Sequence, residues 1–281
     1  MRAATPVVAA LAALLLGAGC SSRSAPAAPV GRRLAEGAAR SLAASPDGGR
    51  VAWLSACAPS PGAPKGLLTC SLLVAPVAGG ASQRVADGVA AVDGAFAWGA
   101  DGSLAALGHR DAATGAGDLT VLRPGGEVRM VAPRATSFAW GPASGIAFAA
   151  GGDLFVASTD GAPRAVRGGT GVSDLAFAPA PGRALAALVR GTGGARNLAF
   201  WREAGGEPTV VARDVASFAF SPDGGALAAI AGVAPGSAGN LVVVQVGPDG
   251  QAASSATAVA RAVGEFRWAP AASRLAWLED F

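Results

Sequence analysis

The residues with chemistry to offer are few: one His, three Cys and a scatter of Asp and Arg among 281 residues. His109 stands in a polar loop, 108–118, with Asp111 two positions on. A His beside a carboxylate can serve as a general base; the competing reading is a solvated loop residue. A Ser-His-Asp relay would have to use this one imidazole. The sequence has no G-x-S-x-G elbow to present a nucleophile, and no G-x-x-x-x-G-K or G-x-G-x-x-G phosphate loop. The Gly-rich stretches 168–171 and 191–194 lack a following helix and Lys, so they read as connectors.

Asp47, Asp101 and Asp223 recur at one place in a repeated phrase. They could form a ring of ligands, but Asp is also favoured in turns for its local hydrogen bonds. Arg84, Arg129, Arg164, Arg167 and Arg213 fall in or beside weak, outlying strands. They either keep edge strands soluble or form a binding stripe. Cys57 and Cys70 flank a Pro/Gly-rich loop. Two strands paired as a hairpin would bring these thiols together, and an oxidising compartment would join them as a disulfide. The alternative, a metal site, needs more ligands than His109 adds. The expectation is therefore a chain with no catalytic residue, no metal and no cofactor, and not an enzyme.

The elements that position these residues follow from a repeat. One phrase recurs six times, at 41–48, 95–102, 137–144, 174–181, 217–224 and 265–272, in steps of 37 to 54 residues. Each copy sets apolar residues at period two, as in Phe218 and Phe220, and then a turn such as Ser221-Pro222-Asp223-Gly224. A second apolar run follows each time, at 51–54, 104–107, 146–149, 185–189, 227–230 and 275–278. Third runs complete five units, at 72–75, 119–122, 154–157, 198–201 and 241–244, with weaker fourth strands at 84–86, 128–132, 164–167, 209–212 and 257–260. Strand, turn, strand, repeated, gives four-stranded antiparallel sheets. Near-continuous apolar runs imply that both faces of each sheet are buried by stacking on neighbours. This predicts an all-β fold, a β-propeller of about six four-stranded antiparallel blades with the last incomplete. A near-balanced charge, formally +3, argues against a dedicated nucleic-acid binder. Outside the N-terminus no apolar run approaches a membrane span of about 20 residues.

The phrase resembles the TolB-type, WD-like β-propeller repeat: an apolar strand, S-P-D-G, an apolar strand, then a short third strand. Two copies carry the full S-P-D-G, at Ser45 to Gly48 and Ser221 to Gly224. The Tyr usual in such repeats is absent, and Trp53, Trp98, Trp140, Trp268 and Trp277 or Phe stand at comparable strand positions. The resemblance covers nearly all of the chain after residue 33 and implies a fold rather than an activity. It also implies closure of the ring by an N-terminal strand, for which 33–37 (R-L-A-E-G) is similar to the fourth strand 84–88 (R-V-A-D-G).

The N-terminus has a secretory leader's three regions: Arg2, an apolar stretch from Val7 to Leu16, and small residues before Cys20. Leu16-Gly17-Ala18-Gly19-Cys20 resembles a bacterial lipobox, which implies cleavage before Cys20 and acylation of its sulfur. Ser21 and Ser22 resemble an outer-membrane signal rather than inner-membrane retention. The expected organisation is a leader at 1–19, a flexible tether at 20–32 and a propeller at 33–281. The expected function is a non-catalytic, periplasm-facing lipoprotein that docks another envelope protein or a small ligand at one end of the ring, with no nucleic acid. The longest connections, 58–69, 109–118 and 232–239, are the candidate docking loops. The alternative is the propeller of a longer, prolyl-oligopeptidase-like hydrolase whose catalytic domain lies beyond residue 281.

Overall fold

The computed structural model describes residues 40–60, 67–92, 94–111, 113–179, 182–203, 206–232, 238–247, 250–252, 256–270 and 273–279. The expected leader, Cys20, the tether and the strand 33–37 lie outside the described residues. Among the described residues the regular elements are strands, joined by two short 3-10 turns at Pro142–Ser144 and Thr192–Gly194.

The first unit is β1 (Arg40–Ala44), β2 (Arg50–Pro59), β3 (Leu68–Pro76) and β4 (Gln83–Ala90), paired in that order. The second begins with β5 (Phe96–Trp98), β6 (Leu104–Gly108) and β7 (Gly117–Leu122) and ends in β8 (Val128–Trp140). The third takes the second half of β8, then β9 (Gly145–Ala150), β10 (Asp153–Ser158) and β11 (Arg164–Thr170). The fourth is β12 (Leu175–Phe177), β13 (Leu185–Arg190), β14 (Arg196–Trp201) and β15 (Thr209–Ala212). The fifth is β16 (Ser217–Phe220), β17 (Ala226–Ala231), β18 (Gly239–Gln245) and the first half of β19 (Thr257–Trp268). The second half of β19 pairs with β20 (Leu275–Glu279), which ends the last sheet. Every pairing between named strands is antiparallel, and each strand expected within the described residues is present.

The chain path departs from the sequence expectation in β8 and β19, where a fourth strand runs without a loop into the first strand of the next unit. The passage is made by a left-handed residue, Arg134 (φ 52°) or Ala262 (φ 54°), at a shift of strand register against β7 or β18. Such a bulge turns a strand toward a new sheet.

The burial pattern explains the apolar runs. In β2, Ala52 and Leu54 pack toward Leu104 and Ala106 of β6. The alternate β6 residues, Ala105 and Leu107, pack forward on Ile146 and Phe148 of β9. Ala147 and Ala149 of β9 then meet Leu185 and Ala187 of β13, and Ala186 and Leu188 meet Leu227 and Ala229 of β17. Ala228 and Ile230 face the β19–β20 pair. The second strands β6, β9, β13 and β17 thus bury both faces against two neighbours, whereas β20 is largely exposed, contrary to the expectation that every sheet is covered on both sides. Alternating Leu and Ala keeps the stacked sheets close.

A second set of ties was not legible in the repeat. The Trp that ends a first strand donates its indole N–H to a carbonyl of the preceding unit's first strand. Trp98 reaches Ala43 O at 3.1 Å, Trp140 reaches Ala97 O at 2.8 Å and Trp268 reaches Ala219 O at 3.0 Å. The residue after that Trp is small because the next unit's aromatic ring rests on it. A Cβ on Gly99 would stand 3.0 Å from the Trp140 ring, and one on Gly141 would stand 2.7 Å from the Phe177 ring.

Cys57 and Cys70 are joined as a disulfide. The left-handed Ala56 (φ 51°) marks a bulge in β2, and beyond it Ala58 pairs with Thr69. That register sets Cys57 opposite Cys70.

Candidate functional site

The first strands of four successive units meet at a cavity of about 560 Å³. Gly94 ahead of β5, Ser137 and Phe138 of β8, Asp174 ahead of β12, and Ser217 and Phe218 of β16 line it. Sheets that radiate from one axis bring their first strands together in this way. Arg110, from the β6–β7 connection, completes the rim, with its Nε donating to Gly115 O at 2.6 Å. Asp174 adds a carboxylate, 3.6 Å from Arg196. Ser137 Oγ is buried and has no hydrogen-bond partner among the described residues. The cavity therefore offers a guanidinium, a carboxylate, hydroxyl groups and two Phe side chains, a set suited to hydrogen bonding and ion pairing. Among the described residues no three His, Cys, Asp or Glu side chains are grouped as metal ligands.

Motif and repeat patterns did not single these residues out. A signal was present: the opening residue of the phrase is polar in five of six copies, as Ser41, Ser137, Asp174, Ser217 and Glu265.

His109 is placed differently from the expectation. Its exposed imidazole Nδ1 lies 3.3 Å from Asp118 Oδ2, across the β6–β7 hairpin, rather than beside Asp111. Asp111 closes its own turn by accepting from the backbone N–H and the hydroxyl of Thr114, at 2.7 and 2.8 Å, and from Ala113 N–H. These bonds, led by Thr114 N–H, hold its carboxyl below the usual range. The His109 N–H donates to Asp87 O at 2.8 Å, which ties the hairpin to the first unit.

Asp47, Asp101 and Asp223 are engaged within turns and across units. Asp47 accepts from Ser45 Oγ and Gly49 N–H, and the Ser45 hydroxyl leads in holding its carboxyl low. For Asp101, burial raises the carboxyl, but bonds from Ser144 of the next unit and from Ser103 outweigh it and leave it lowered. Asp223 accepts from Ser221 Oγ at 2.6 Å, from Gly225 N–H at 3.0 Å and from Ser273 Oγ of the next unit. The Ser221 hydroxyl, then that of Ser273, lowers it to about 2. A carboxyl depressed in the fold stabilises it above the unfolded value near 3.8, and that contribution is lost as pH falls toward 2. The melting temperature should therefore drop less steeply between about pH 4 and pH 2 in Asp223→Asn than in the unaltered protein. Parallel curves across that window would refute the assignment.

The arginines divide. Arg84 and Arg167 lie near Asp87 and Glu207, at 3.4 and 3.2 Å, and Arg129 donates to Thr159 O. Arg164 lines a groove with Phe177 and Glu203, and Arg213 lines a separate cleft.

No protein-family model matches the chain, and no curated protein does. Solved structures similar to it include the Dos1 propeller, 12% identical with a TM-score of 0.53 over 80% of this chain and 63% of that one. TolB from Acinetobacter baumannii is 15% identical with a TM-score of 0.46, over 78% of this chain and 57% of that one. The β-propeller domain of the Trilobed protease from Pyrococcus furiosus is 16% identical with a TM-score of 0.47, over 81% of this chain and 74% of that one. The chain thus spans under two thirds of the Dos1 propeller and of TolB. At these identities the likeness concerns the fold, and the fold is an all-β propeller of antiparallel sheets.

Proposed function

We propose that this chain is a non-catalytic propeller scaffold of the cell envelope. Acyl chains on Cys20 hold it at the outer membrane, facing the periplasm, and it binds another envelope protein or a small ligand where the axial cavity opens. The cavity carries this reading. Four units place residues on its wall, and the buried Ser137 hydroxyl there has no partner among the described residues. Leaving such a group unpaired costs about 1–3 kcal/mol, which a bound polar group removes. The strand ends that flank the candidate docking loops, Pro59 and Leu68, Gly108 and Gly117, and Ala231 and Gly239, lie by antiparallel topology at the cavity's end of their sheets. The leader and lipobox-like residues up to Cys20 support the anchor.

Site-specific photo-crosslinking in a Gram-negative host tests the proposal. A photoreactive residue in place of Ser217 or Arg110 should give discrete adducts. One in place of Asp47, in the β1–β2 turn at the opposite end, should give none. Palmitate labelling should disappear in Cys20→Ser. Adducts from neither end, or labelling that survives Cys20→Ser, would overturn the reading.

A further inference from the structure

A second cleft, of about 540 Å³, lies between the end of β11 and the hairpin joining β13 to β14. Arg190 and Arg213 line it, with Thr170, Thr192, Asn197 and Val210. None of the described residues that line it is acidic. Local sequence builds this arrangement. Gly171 has φ +63°, and a Cβ on it would collide with Arg190 Cβ, so the end of β11 closes on the end of β13 only without a side chain there. Gly191 similarly leaves room for Asn197, whose Nδ2 would lie 2.8 Å from an added Cβ.

The two arginines differ from those already held in ion pairs. Arg84, Arg123, Arg167, Arg196 and Arg267 each have a carboxylate within 3.6 Å. Arg190 and Arg213 have none within ion-pair distance among the described residues. Two cations sharing an acid-free cleft repel each other, and an oxyanion between them reverses that repulsion. Guanidinium forks match the paired oxygens of phosphate, and the Thr hydroxyls and the Asn amide supply further donors. Pockets for small organic ligands run from about 300 to 1,000 Å³. The cleft therefore has room for more than an isolated ion, and Val210 gives it an apolar wall.

We propose that the Arg190–Arg213 cleft binds the phosphate group of a phosphate ester. It shares no lining residue with the axial cavity, so it stands or falls independently of what that cavity binds. The test uses the chain carrying Cys20→Ser, so that acylation does not itself attach it to lipid. Calorimetry with inorganic phosphate, against chloride at equal ionic strength, should show binding that weakens about tenfold or more in Arg190→Ala/Arg213→Ala. The loss should be smaller in Arg190→Lys/Arg213→Lys, which keeps the charge without the fork, and absent in Arg164→Ala. Sedimentation with phosphatidylglycerol vesicles separates the sources. Vesicle binding that needs both arginines marks a lipid headgroup, and phosphate binding without vesicle binding marks a soluble ester. Absence of phosphate binding beyond chloride, or equal binding by the doubly substituted and unaltered proteins with both folded by circular dichroism, would overturn the proposal.

Discussion

Reduction of the Cys57–Cys70 bond is expected to lower the melting temperature by roughly 6–12 °C. The two cysteines are 13 residues apart in sequence, and the loop they close is rich in Pro and Gly. In the chain-entropy account, cross-linking a loop of this length stabilises by about 3 kcal/mol, because the unfolded chain loses conformations that the folded one never had. Cys70 is buried and packs with Leu72 and Val89 against Leu104 of the second unit. The bond therefore holds β2 and β3 together where the first sheet meets its neighbour. Cys57→Ser/Cys70→Ser should match the reduced protein in calorimetry, and reductant should leave that variant unchanged. A melting temperature indifferent to reductant in the unaltered protein would remove the stabilising role.

Gly141→Ala is expected to destabilise the protein by about 1–3 kcal/mol, although it adds one methyl group. Gly141 has φ −107° and ψ −174°, extended backbone open to any residue, so the cost is not conformational. It comes from the Phe177 ring, whose Cε2 and Cζ would stand 2.7 Å from the new carbon. Phe177 packs against the cluster formed by β9, β10, β13 and β14, so its displacement disturbs a whole sheet interface. Phe177→Leu should relieve the clash, and a double-mutant cycle should return a favourable coupling between the two sites. An equal cost of Gly141→Ala in the unaltered protein and in the Phe177→Leu background would show that the ring is not responsible.

Much of this molecule is written locally. Phe218 and Phe220 at period two and the Ser221-Pro222-Asp223-Gly224 turn specify β16, its turn and the start of β17 within a dozen residues. The same holds at the other phrases. The disulfide was legible for the same reason, since a hairpin is a local object. The pairing of His109 with Asp118 rather than Asp111 was not. It depends on which residues of β6 and β7 lie opposite each other, here Gly108 and Asp118.

The amino-acid order by itself determined the strands and their turns, because each depends on neighbours a few residues away. Only the stacked sheets decided that Trp140 would reach Ala97, that Ser273 would meet Asp223, and that Ser137, Asp174 and Ser217 would share one cavity. Those partners are some 40 to 80 residues apart. Their meeting is set by the offset between adjacent sheets, and by bulges such as Arg134 that turn one sheet into the next, and no short-range pattern encodes either.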